Sequence, residues 1–307
     1  MNKKKKKEKK KRKKKAQKER EEKYMIKNRY DFMILFDVEN GNPNGDPDAN
    51  GAPRVDIETG HGLVSDVCIK RKIRNYVELM KKDEFGYKIL IKNDKSLNTK
   101  FSEAYEELGI NEEERKNSKN VEERTKKYMC EKYWDVRMFG AVMSTGNDPC
   151  GIVKGPVQFS FGKTISPVFV NDITITRMAR TTEEKQNTGN LTEMGKKYII
   201  PYGLYAVKGY VSANIANCTT DISEEDIELL WEAILNMFEN DRSAMRGYVN
   251  IRKLIIFKHD SEYGNCTSAK LFDQIKIEEL DDIPRKFSDY EINIGEIPEG
   301  VELIVKD

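Results

Sequence analysis

An α+β fold of the ferredoxin-like or RNA-recognition-like kind is predicted by three observations. With two polar or charged blocks set aside, the chain reads strand, helix, strand, strand, helix, strand, the βαββαβ order. The first strand, residues 30–38 (YDFMILFDV), is apolar on both of its alternating sets, as a central strand is. Both helical stretches carry apolar residues at helical spacing behind a serine N-cap. The same order serves many functions, so the fold alone selects none.

Before the first strand lie residues without core-forming side chains. Residues 1–23 hold 15 Lys/Arg and 4 Asp/Glu, a charge of +11, and almost no apolar side chains. Such a segment cannot bury apolar surface, so residues 1–24 are expected to be a disordered polybasic tail. It reads either as an arm that binds nucleic acid non-specifically or as a segment outside the natural protein. Nineteen of those 23 residues are Lys, Arg or Glu, which all have purine-only codons; a ribosome-binding tract read in frame would look like this, and Met25 would be the start. The 307-residue chain sums to +2, so the body, with 39 basic and 48 acidic residues, carries −9.

After the first strand, residues 40–53 (NGNPNGDPDANGAP) form a turn-rich loop. A helix is expected over 65–80, capped by Ser65, with Ile69, Ile73, Tyr76, Val77 and Met80 facing inward. Residues 81–134 are charged and helical, an insertion. One amphipathic helix carries Phe101, Ala104, Tyr105 and Leu108 and ends at Gly109; another carries Val121, Thr125, Tyr128, Met129 and Tyr133; residues 111–120 between them read as an exposed loop. Strand character returns at 137–143, 155–161, 164–178 and 198–214, and the polar stretch 179–197 suggests a protruding hairpin. A helix over 223–239 opens with a Ser223/Asp226 capping box and buries Ile227, Leu230, Trp231, Ile234 and Phe238. A strand at 251–258 follows, and the remainder to Asp307 reads as acidic and extended.

Several function classes are excluded. The longest apolar run, about residues 32–36, is far short of the roughly 18 residues a membrane helix needs. The basic start has no apolar stretch behind it and is not a secretory signal. Five scattered cysteines (68, 130, 150, 218, 266) and two histidines suit a reducing cytoplasm and form no zinc-ligand spacing. The phosphate-loop pattern GxxxxGK[ST] is absent.

The candidate chemistry is cationic. Lys70, Arg71, Lys72 and Arg74 crowd the first helix, and Lys70, Arg71 and Arg74 are related by i+3 and i+4 steps, a possible phosphate-tracking stripe or simply a solvated face. Asn40 and Asn42 open a loop of the kind that brings backbone N–H groups and short amides to a ligand. Arg177 and Arg180 flank Met178 at the proposed hairpin, where cations beside a flexible apolar side chain suit a single strand. Arg242, Ser243 and Arg246 follow the second helix. Asp37, Asp46 and Asp48 could hold Mg²⁺ or cleave, but Asp before Pro is ordinary turn chemistry. Cys68 has no nearby His in sequence, and His61 between two glycines reads as loop filler.

Together the segments NRYDFMILFDVENGNPNGDPDANGAPR (28–54), HGLVSDVCIKRKIRNYV (61–77), DVRMFGAVMSTG (135–146), GPVQFSFGKTISPV (155–168), ITITRMA (173–179), IIPYGLYAVKGYVSA (199–213), ELLWEAILNMFENDRSAMRG (228–247) and FSDYE (287–291) resemble the Cas-seven family, the backbone subunit of type I-C CRISPR Cascade. The resemblance covers residues 28 to 291 and does not extend to the tail. It implies an RNA-recognition-like palm, a helical finger at 81–134 and a hairpin thumb at 173–200, all within a 25–307 backbone domain. It implies several copies on one CRISPR RNA (crRNA), other Cascade subunits as partners, target DNA reached through guide pairing, a recruited helicase–nuclease, and a role in antiviral defence. No membrane, metal, cofactor or catalytic residue is implied. RNA contacts are expected from Asn40, Asn42, Arg54, Lys70, Arg71, Arg74, Arg137, Arg177, Met178, Arg180, Arg242 and Arg246. Because guides differ in sequence, such contacts should grip backbone and leave base edges free. The competing expectation is an endoribonuclease like the backbone subunits of type III complexes, cutting target RNA with an Asp of the loop after the first strand, where Asp46 and Asp48 lie.

Overall fold

The structure is a computed structural model that describes residues 26–82, 84–115, 118–177 and 193–307. The expected tail at 1–24 and two candidate contacts, Met178 and Arg180, lie outside the described residues.

Strand β1 (Tyr30–Gly41) opens the fold. The loop after it carries a two-residue ladder of β2 (Gly45–Asp46) and β3 (Ala52–Pro53). Then come β4 (Leu63–Val64) and helix α1 (Asp66–Met80). The charged block forms α2 (Leu97–Glu107), α3 (Glu112–Arg115), α4 (Ser118–Lys132) and α5 (Trp134–Phe139). It is closed by the antiparallel pair β5 (Gly140–Met143) and β6 (Gly151–Lys154). Strands β7 (Val157–Phe159), β8 (Gly162–Thr164), β9 (Asn171–Arg177) and β10 (Glu193–Val211) follow. The chain ends with α6 (Glu224–Asn236), β11 (Tyr248–His259), α7 (Ser268–Phe272), β12 (Ile275–Glu279), β13 (Tyr290–Ile294) and β14 (Val301–Lys306).

The main sheet runs β14-β11-β1-β10-β8-β4, with β7 also on β10. Taking β1, β7/β8, β10 and β11 as the four strands of the βαββαβ order, the spatial sequence is fourth, first, third, second. Every neighbouring pair is antiparallel. That is the ferredoxin-like arrangement within an α+β fold. Strand β1 lies between β10 and β11, and both of its faces are apolar because a core packs on each side of the sheet. Phe32, Ile34, Phe36 and Val38 enter the core beneath α1 and α6, beside Ile69, Ile73, Leu230, Trp231 and Ile234. Met33 and Leu35 enter a second core on the opposite face, sealed by Leu271, Phe272, Ile275 and Tyr290. The inserted block has its own core, built on Phe101, Ala104, Tyr105, Val121, Met129 and Tyr133.

Local chemistry sets the helix ends. Ser65 accepts from the Cys68 N–H and caps α1, and Ser223 and Asp226 form a reciprocal capping box at α6. Met80, expected on the inner face of α1, is instead half exposed at the last turn.

Four sequence expectations are corrected. Residues 111–120 are not one loop: Asn111 caps Glu114, α3 forms, and Arg124 of α4 holds the Leu108 carbonyl and Glu114. Residues 137–143 are not a single strand, because residues 134–139 form α5, with Arg137 and Asp135 buried, and Gly140 at φ 78° turns the chain into β5. The expected strand at 164–178 is split into β8 and β9, and residues 168–170 between them are not in a strand. The C-terminal stretch is not merely extended, for it supplies α7, the β12–β13 hairpin and the edge strand β14.

Candidate nucleic-acid interface

The loop at 40–54 leaves the end of β1 and is stitched to two segments distant in sequence. Asn40 takes the left-handed conformation at φ 47°, which Asn tolerates better than most side chains. Gly41 lies against the turn before β11: a Cβ there would stand 3.1 Å from the Met245 carbonyl. That carbonyl accepts from the Asn42 N–H at 2.7 Å. The Asn42 side chain donates to the Gly51 carbonyl at 2.7 Å, while its Oδ1 is buried without a partner among the described residues. Asn44 ties the loop to the helix, its Oδ1 accepting from the Ser65 N–H at 2.9 Å and the Ser65 hydroxyl at 3.0 Å. The Cys68 thiol lies 3.6 Å from the Pro43 carbonyl; burial pushes this thiol up, the opposite of a nucleophile's need.

Three sources of cations therefore meet where β1 ends. Arg54 of the loop is 3.3 Å from Asp46 and more than a third exposed, with its Nε unpartnered among the described residues. Lys72 of α1 reaches Asp241, which also holds Arg246 Nε at 2.8 Å. Arg242 pairs with Glu239 at 2.9 Å and donates to the Gly247 carbonyl at 3.2 Å. Both Arg242 and Glu239 are half exposed, so this pair is worth little. Arg71, half-buried in the second turn of α1, makes no ion pair among the described residues. A cleft of about 410 Å³, lined by Glu39, Asn40, Gly247 and Tyr248, opens between the β1 end and the β11 start.

The proposed α1 stripe does not hold as one surface. Lys70 is bound to Asp66 at 3.1 Å and leans toward Gln158 and the Phe139 ring. Arg74 is buried: its Nε meets Asp135 at 2.9 Å, and Asp135, fully buried, also accepts from the Leu90 and Ile91 N–H groups. Arg137 is likewise buried, bidentate to Asp226 at 3.0 and 2.8 Å, bonded to the Gly86 carbonyl and stacked on Tyr87. Arg74 and Arg137 are thus joints between the inserted block and the palm, and their charge is spent inside the protein. A helix that packs on two neighbours has fewer free faces than its own periodicity suggests.

Strand β9 and residues 193–199 of β10 pair from Asn171–Ile199 to Arg177–Glu193. This hairpin extends β10 beyond its pairing with β1, which ends at Gly41–Ile200, so its base lies at the same end of the sheet as the loop. Arg177 stands at its far end, the last residue of β9.

The carboxylates of the competing expectation are in turn geometry. Asp46 accepts from the Asp48 N–H at 3.1 Å and faces Arg54. Asp37 points to the other face, buried with Arg252 at 2.9 Å and Tyr202 at 3.1 Å. Burial raises its carboxyl pKa, against the pull of Arg252. His61 Nδ1 is bonded to the Thr164 carbonyl at 2.8 Å. Among the described residues no cluster of three metal-ligating side chains occurs, and no helix is long and apolar enough to cross a membrane. Sequence reading overlooked Asn44, and passed over Lys72 and Asp241, which clamp loop, helix and turn together; the Asn44/Ser65 pairing needs the fold to be seen.

The family model "CRISPR-associated protein Cas7" matches residues 28–295. A protein of Haloferax volcanii described as CRISPR-associated protein Cas7 is 22% identical over 299 residues, covering 90% of this chain and 84% of that one. A chain from the solved structure "CRISPR RNA-guided surveillance complex, pre-nicking" has a TM-score of 0.50 at 15% identity, over 75% of this chain and 78% of that chain, a likeness of fold. With the family model matching most of its length, this chain belongs to the CRISPR-associated Cas7 family.

Proposed function

We propose that the chain is the guide-holding backbone subunit of a type I-C Cascade, acting as a scaffold and not as a nuclease. The observation that carries this reading is the clamp of Asn44–Ser65, Asn42–Met245 and Lys72–Asp241 that joins loop 40–54, the first turns of α1 and residues 239–248, beside a cleft lined by Glu39, Asn40, Gly247 and Tyr248 and a projecting hairpin. Arg54, Arg242 and Arg246 present cations there, Arg71 adds one from α1, and Asn40 opens the loop, whereas the Asn42 donors are spent inside it. These groups suit phosphate and sugar rather than base edges, the requirement for holding guides of any sequence. In this reading residues 81–134 are the finger, the β9/β10 hairpin is the thumb laid across the guide onto the next copy, and the assembly is an open filament in the cytoplasm. Other Cascade subunits cap it, target DNA pairs with the exposed guide bases, and a recruited helicase–nuclease cuts.

Two measurements test it. Replacing Arg54, Arg71 and Arg242 with Ala weakens guide binding and lowers the log–log salt slope by about 0.7 per lost single-strand contact. An unchanged slope sinks the interface. Incubating the assembled complex with complementary RNA and Mg²⁺ leaves that RNA intact. Cuts at regular intervals that vanish in Asp46→Ala or Asp48→Ala would establish the endoribonuclease instead.

A further inference from the structure

The body's charge of −9 is not spread evenly. Residues 260–307 hold 13 Asp/Glu against 5 Lys/Arg, a net −8. The N-terminal segment leaves the body beside the start of this acidic stretch. Ile26 is fully buried, and its carbonyl accepts from Asn217 at 3.0 Å. Asn28 donates to the His259 carbonyl at 2.6 Å, and the Arg29 N–H donates to Ser261 at 3.1 Å. Around that point stand Glu224, Glu225 and Glu228 on α6, Asp260 and Glu262 in the turn after β11, and Glu302 on β14. Five of these six are exposed, and Glu262 is half-buried. Tyr30, at the head of β1, lies 3.5 Å from Glu224. Burial, and then the carboxylates of Glu224, Glu228 and Glu302, push its phenol well above the ordinary value. Lys258 and Lys306 meet the collar through loose pairs of 3.5 and 3.7 Å, Arg29 is turned to Asp31, and Lys27 is exposed at the exit.

We propose that the +11 segment at residues 1–24 docks back in cis on this acidic collar, so that the collar competes with nucleic acid for the tail. The charges are opposite in sign, and the tether holds them together at an effective concentration on the order of millimolar. Fully extended, 24 residues reach about 80 Å, so the whole collar is in range. The attraction is electrostatic and exposed, and salt screens it within a Debye length of about 8 Å at physiological ionic strength. The collar surrounds the head of β1, whereas the guide interface lies at its other end. The 12 residues of β1 put roughly 36 Å between them. The tail contact can therefore fail without touching the guide-holding reading, and the reverse.

The test is zero-length carbodiimide crosslinking of the full chain, read by mass spectrometry, on a mixture of isotope-labelled and unlabelled protein. Tail lysines are expected to join Glu224, Glu225, Glu228, Asp260, Glu262 or Glu302 within one chain at low salt, with the yield falling about tenfold in 0.5 M salt. Links scattered over all surface carboxylates, or found only between chains, overturn the proposal. A second arm measures binding of a random-sequence RNA. Glu224→Gln with Glu225→Gln and Glu228→Gln raises affinity roughly threefold or more by freeing the tail. The same changes have no effect in a full chain whose tail carries Lys4→Gln, Lys6→Gln, Lys10→Gln, Lys13→Gln and Lys15→Gln. An equal gain in both backgrounds, or no gain in either, overturns it.

Discussion

Arg74 and Arg71 stand three residues apart on one helix in different surroundings. The Arg74–Asp135 pair is nine-tenths buried or more on both sides, so Arg74→Ala strands a carboxylate inside the protein and should cost about 3–5 kcal/mol. Arg137→Ala should cost a similar amount through Asp226. Arg71→Ala should stay within about 0.5 kcal/mol in urea unfolding and show its effect only in guide binding. Asp31 offers a pH test. Burial pushes its carboxyl up, but bonds from His259, Ser268 and Arg29 outweigh that and hold its pKa below the usual carboxylate value. A depressed folded pKa adds stability above the unfolded value of about 3.9, and this is lost as pH falls through the folded pKa. Asp31→Asn should therefore cost about 2 kcal/mol at pH 7. The gap to the parent should narrow in unfolding titrations below about pH 4.

Among the elements, α1 and α6 were legible because their capping and periodicity are local. Ser223→Ala removes the hydroxyl that accepts from the Asp226 N–H, leaves the backbone half of the α6 capping box, and should lower stability by about 1 kcal/mol. Helix α5 was not legible: residues 134–139 are short, carry a β-branched Val136 and aromatic ends, and are helical because Trp134 packs into the core and Asp135 and Arg137 find partners inside. Gly140 ends it at φ 78°, where a Cβ would lie 2.5 Å from the Gly155 nitrogen and the Val153 carbonyl. Gly140→Ala should lower the thermal midpoint sharply and loosen β5 from β6, seen as faster amide exchange at residues 140–143.

At the scale of the molecule, the inserted block and the β9/β10 hairpin are additions to a sheet that closes without them. Strand β10 holds β1 through residues 200–211, whereas its residues 193–199 pair only with β9. Replacing residues 172–198 with a short turn should keep a folded monomer by circular dichroism and abolish multi-copy assembly on guide RNA in gel filtration. The sequence by itself determined the βαββαβ order, the central placement of β1, the two capped helices and the separation of a +11 tail from a −9 body, because periodicity, capping and charge are properties of neighbours along the chain. Only the tertiary structure decided which cations remain available. Arg74 and Arg137 are neutralised by Asp135 and Asp226, 61 and 89 residues away in sequence. Arg54, Arg242 and Arg246 are brought to one end of the sheet. An ion pair between distant segments leaves no mark in local spacing, and burial makes one arginine a joint while another stays at the surface.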